Sequence, residues 1–143
     1  MKYIFVLVVF LINSAFAQEV ASKVYDRMEG DPLKFVRELM VSSELGDFVV
    51  INAASKPIFS EIELSSLLLM IDSKVECCSV KSTYSDKWSL PKSTIGNEVA
   101  YLLWGHISNN YPPSASSLGA HDLYREKIAE WAREKLGIDI KGK

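Results

Sequence analysis

The groups that could do chemistry in this 143-residue chain are two cysteines, two histidines and 18 carboxylates. Cys77 and Cys78 are adjacent, a spacing unsuited to a zinc knuckle or a redox pair, both of which need a CxxC gap. Neighbouring cysteines can bond only through a small strained ring that closes almost no loop. Three states therefore stand open: a vicinal disulfide between Cys77 and Cys78, buried or free thiols, or bonds to another chain. His106 and His121 fall on different expected elements, and neither has an obvious metal partner. A Cys78/His106 thiol enzyme would need the two side chains only to meet in space, but a nucleophile that its own neighbour can oxidise is a poor design. Glu98 with Glu61 or Glu63 could form the two-carboxylate pair of a glycosidase, a pairing that any helical domain rich in acids offers. No phosphate-binding glycine loop, HExxH, GxSxG or CxxC occurs. No cofactor and no metal are expected.

These groups must be held by helices. Asp31-Pro32 is a helix start, an N-cap acceptor followed by proline at the first helical position, with Leu33, Val36, Leu39 and Met40 at core spacing as far as Leu45. Ser60-Glu61-Ile62-Glu63 has the form of a capping box. The helix it opens is apolar almost all round, from Ile62 to Ile71, so it is expected to be the central, most buried helix. Thr94 caps a helix carrying Ile95, Val99, Leu102, Leu103, His106 and Ile107 on one stripe, which points His106 inward or to the stripe's edge. A last helix runs from about Asp122 to Leu136, with Leu123, Ile128, Trp131 and Leu136 apolar, and stops at Gly137. Val20, Val24 and Met28 recur at four-residue spacing ahead of Gly30, as a first helix would show. Residues 47–55 read as a short buried helix capped by Asp47. A strand is the alternative, but no second strand-like run offers it a partner.

Two connections carry aromatics. The stretch from Lys74 to Lys92 keeps no helical period and holds Tyr84 and Trp88. Asn109 to Gly119 contains Tyr111-Pro112-Pro113-Ser114, a stiff extended stretch. Tyr84, Trp88, Tyr111, Pro112 and Pro113 are the candidate binding residues, against the plainer roles of pinning a loop to the core or turning the chain.

Ser93 to Leu103, the Tyr-Pro-Pro-Ser loop and the Tyr124-to-Trp131 helix resemble the C-terminal part of small exported bacterial proteins with HEAT-like helical-repeat character, over about 45 residues. The resemblance implies an all-α stack of antiparallel helix pairs, an irregular HEAT-like bundle of a kind used for protein binding. It brings no catalytic residues with it, and no internal period accompanies it.

The N-terminus supplies an address. Lys2, an apolar run from Tyr3 to Ile12 and the small residues of Ala15-Phe16-Ala17 have the form of a cleavable signal peptide, residues 1–17, leaving a single domain at 18–143. Asn13, Ser14, Gln18 and Glu19 cut the run well short of the roughly 20 residues that a membrane span requires. Export to the periplasm or beyond is expected, without stable membrane insertion after cleavage. Loss of Lys2 takes the net charge from −2 to −3, and no run of Lys or Arg offers a nucleic-acid footprint. The expected role is that of an exported, non-enzymatic protein with a protein partner, an inhibitor or immunity-type protein of the envelope. The alternatives are an envelope hydrolase built on His106 and Glu98, acting on wall polymer or peptide, and an accessory component of a surface assembly.

Overall fold

The computed structural model describes residues 31–43, 49–51, 59–82, 85 and 91–140. Residues 1–17, expected to be a leader, the helix expected before Gly30, Asp47, Tyr84 and Trp88 lie outside the described residues. In chain order the elements are α1 (Pro32–Ser43), β1 (Val49–Ile51), α2 (Glu61–Leu68), β2 (Glu76–Cys77), β3 (Val80–Ser82), β4 (Ser93–Thr94), α3 (Ile95–Ile107) and α4 (Ala120–Leu136). Among the described residues no helix is long and apolar enough to cross a membrane.

The fold is mainly helical, but an all-α description is too narrow, because two small sheets tie the helices together. β1 runs parallel to β3 in the register Val49↔Val80, Val50↔Lys81, Ile51↔Ser82. Val49 to Ile51 are thus strand, not the short helix expected from Asp47 onward. Parallel strands need a crossover, which α2 supplies, so the partner lies far along the chain. That partner, Val80-Lys81-Ser82, has one apolar residue and gives no strand period of its own. β2 pairs antiparallel with β4 through Glu76↔Thr94 and Cys77↔Ser93, so the stretch from Lys74 to Lys92 is partly strand as well.

Helix starts follow their caps. The Leu33 and Lys34 N–H groups each donate to Asp31 Oδ1 at 3.0 Å. Ser60 and Glu63 form the reciprocal capping box, and the Asn97 N–H donates to Thr94 Oγ1 at 3.3 Å. At the far end of α3, Asn109 takes a left-handed φ of 57°. The Asn110 N–H reaches Gly105 O at 3.2 Å and the Asn109 N–H reaches His106 O at 3.3 Å, the two bonds of a Schellman motif.

The core gathers on α3, not on α2. Ile95, Val99, Ala100, Tyr101, Leu102 and Leu103 are all buried, and they meet Phe35, Val36 and Leu39 of α1 (where Met40 turns out to solvent), Leu64, Leu67 and Leu68 of α2, and Ile128 and Ala132 of α4. α2 is an outer helix. Its surplus of apolar residues signifies a second apolar face, in water. Gly96 lets α3 approach the turn after α2: a Cβ there would collide with the Ile71 and Ser73 carbonyls, while the Gly96 N–H donates to Ser73 O at 3.0 Å.

Candidate functional site

Glu98 lies in the first turn of α3 and is fully buried. Its Oε1 accepts from the Ser117 hydroxyl at 2.7 Å and, at a longer 3.4 Å, from Asn97 Nδ2. Oε2 has no hydrogen-bond partner among the described residues. Burial pushes the carboxyl up to about 7, against the opposing pull of Ser93, Ser117, Asn97 and the Val80 N–H. Ser117 also accepts from the Val80 N–H at 3.0 Å, and its own N–H donates to Val80 O at 2.8 Å. Asn97 Nδ2 donates to Ser93 Oγ and Ser117 O, and Asn97 Oδ1 accepts from the His121 N–H. This polar cluster joins β3, β4, the 114–117 strip and the starts of α3 and α4. It is a knot inside the fold.

Cys77 and Cys78 are thiols beside this cluster, and both are buried. Burial drives the Cys77 thiol far above its ordinary range, and the charges of Glu98 and Cys78 push it the same way. It is held as the unreactive thiol, not the nucleophilic thiolate.

His106 does not meet Glu98. Eight residues apart on α3, they are separated by about 12 Å of helix rise. The His106 ring stacks on Phe59, centroids 5.1 Å apart, and takes the edge of Trp131 at 6.5 Å. Glu63 is bound into its cap on α2, where the Ser60 hydroxyl and backbone hold it below its ordinary range. The His106–Glu98 pairing weighed from sequence is therefore not assembled, and the Glu63 carboxylate is committed to its cap.

His121, beside a polar cleft of about 330 Å³ shared with Lys74, Lys92 and Thr94, has partners that sequence spacing did not reveal. Its Nε2 lies 3.1 Å from Asp72 Oδ1 and its Nδ1 3.5 Å from Asp122 Oδ1. Arg125 grips Asp72 with two bonds of 3.0 Å, and this grip, with His121, holds the Asp72 carboxyl down at about 2. Both ring nitrogens thus face carboxylates. The cluster fastens α4 to the turn after α2. Among the described residues no group of three or more His, Cys, Asp or Glu is placed to hold a metal ion.

Of the candidate binding residues, Tyr111 is buried. Its ring packs over Gly105, where a Cβ would collide with it, and meets Tyr101 edge to face at 6.1 Å. Tyr101 donates to Ser114 O at 2.6 Å. The strip that follows is laid along β3 by the Lys81↔Ser116 bridge and the Ser82 N–H bond to Ala115 O. Tyr111 is a core residue and not a projecting contact; Pro112 and Pro113, after a cis Tyr111-Pro112 bond, are half-buried.

The exposed apolar surface lies elsewhere. Ile62 and Leu69 are 80% and 89% exposed on the outer side of α2 and its C-terminal turn. Seven residues apart, they share one face. Between them Ser65 and Ser66 turn their hydroxyls back onto the Glu61 and Ile62 carbonyls at 2.8 and 2.9 Å, so the face keeps few outward polar groups. Leu68 and Leu69 also border a groove of about 360 Å³ whose other wall is the tail residues Ile138 and Ile140. Gly137, left-handed at φ 67°, stops α4 and turns the tail toward α2. The chain matches no protein-family model, no curated protein and no solved structure.

Proposed function

We propose that this is an exported, non-enzymatic binding protein, of the inhibitor or immunity type, that holds a protein partner on the outer face of α2. The observation carrying this reading is the pair Ile62 and Leu69, standing in water beside the Leu68/Ile138/Ile140 groove. Large exposed apolar side chains next to a groove characterise interaction surfaces. The HEAT-like stack of antiparallel helix pairs belongs to the same proposal, as does export by removal of residues 1–17. The same exposed face also suits a second reading, an accessory component of a surface assembly, which differs in requiring self-association.

Site-specific photo-cross-linking in cells tests the reading. A photoreactive residue at position 62 or 69 should yield an adduct with one and the same envelope protein, and a residue at Leu123, 61% exposed on α4, should not. Adducts only between copies of this chain would favour the assembly reading. Equal labelling from all three positions would defeat both. Mass measurement of the envelope form should find Gln18 at its start.

A further inference from the structure

The binding face has a sign. From Phe59 to Ser73 the chain carries Glu61, Glu63 and Asp72 and no Lys, Arg or His. Asp72 is matched by Arg125 and His121. Glu61 and Glu63 remain on α2, and Asp139 lies on the tail wall of the groove, so the exposed isoleucine and leucine are flanked by acids that no cation of the described residues approaches within ion-pair distance. From these observations, and resting on the reading of α2 as the docking face, we infer that the occupant is a basic amphipathic helix of a partner protein. Its apolar side chains would pack on Ile62 and Leu69 and enter the groove, and its Lys or Arg residues would lie against Glu61, Glu63 and Asp139.

Charge separates this occupant from two others that an apolar face could take. A second copy docked through the same face about a two-fold axis would set Glu61, Glu63 and Asp139 against themselves. An anionic bilayer would repel the same three carboxylates. The helical form follows from the spacing. Ile62 and Leu69 stand about 10 Å apart along the axis, the rise of seven helical residues, so a partner helix can present matching apolar positions at its own seven-residue interval.

Fluorescence anisotropy on the full mature chain tests the inference with two labelled model peptides, each of roughly 18 residues so that a helix can form. One carries Leu and Lys at amphipathic spacing, and the other has Glu in place of every Lys. The Lys/Leu peptide is expected to bind at least about tenfold more tightly than the Glu/Leu peptide, and Glu61→Lys with Asp139→Lys should remove that preference. Leu69→Ser with Ile62→Ser should weaken binding about tenfold or more, and the far-UV circular dichroism of both pairs of variants should match that of the parent. Equal affinity for the two peptides, with the Leu69→Ser loss retained, would overturn the basic partner and leave the docking face standing. Peptide binding indifferent to Ile62→Ser and Leu69→Ser would overturn the docking face itself. Dimerisation, or sedimentation with phosphatidylglycerol vesicles, that these serine substitutions abolish would replace the basic helix with the other occupant.

Discussion

The first turn of α3 and the outer face of α2 each invert the usual partition of residues. At α3 a carboxyl, Glu98, is sealed from water among hydroxyls and an amide; at α2 an isoleucine and a leucine stand in water. The buried carboxyl is bonded to groups from several segments, so it acts as a fastening. The exposed side chains satisfy nothing in their own fold. Each forgoes roughly 1.5–3 kcal/mol of burial that a partner could supply. What distinguishes the two regions is that the buried carboxyl finds partners inside the chain through Oε1, while Ile62 and Leu69 stand open to water.

Four measurements can break or sharpen that contrast. The largest effect is expected from Tyr111→Ala: a buried ring should cost about 3–5 kcal/mol in chemical denaturation, where a projecting recognition residue would cost almost nothing. The next is the pH dependence set by Glu98. Its folded pKa, about 7, lies above the ordinary carboxyl value of 4.5, so the associated stability is fully present below 4.5 and is lost as pH rises through 7. The fall should be on the order of 3 kcal/mol, and Glu98→Gln should flatten it in denaturation curves taken from pH 4.5 to 8. Arg125→Ala comes third. It frees the partly exposed Asp72 and should cost about 1 kcal/mol at neutral pH. It should also shrink the stability that the parent loses between pH 3.8 and about 2 as Asp72 protonates. Smallest is Leu69→Ser, expected to change stability by under about 0.5 kcal/mol; a large loss would mean that Leu69 is packed by its own chain.

The helices were legible because their signals are local. Asp31-Pro32, the Ser60/Glu63 box, the Thr94 cap and Gly137 each announce an end within a few residues. The β1–β3 pairing was not, because it joins segments some thirty residues apart through three-residue strands. The candidate site was hidden by a different ambiguity. A helix apolar on every side reads equally as deeply buried or as half-exposed, and which holds depends on whether neighbours cover both faces. Only the course of the tail after Gly137 and the placing of α2 at the edge reveal that one face stays open. Tyr111 misled for the converse reason: a tyrosine beside two prolines looks like a projecting contact until its ring is found seated on Gly105. His121 gave no sign of its role because its partner Asp72 is 49 residues away.

Amide hydrogen exchange on the full chain, with and without the Lys/Leu peptide, tests most directly whether recognition resides on α2. Exchange should slow in residues 61–72 and 138–140 and stay unchanged in residues 111–117. Slowing confined to 111–117, or none at all in 61–72, would contradict the account.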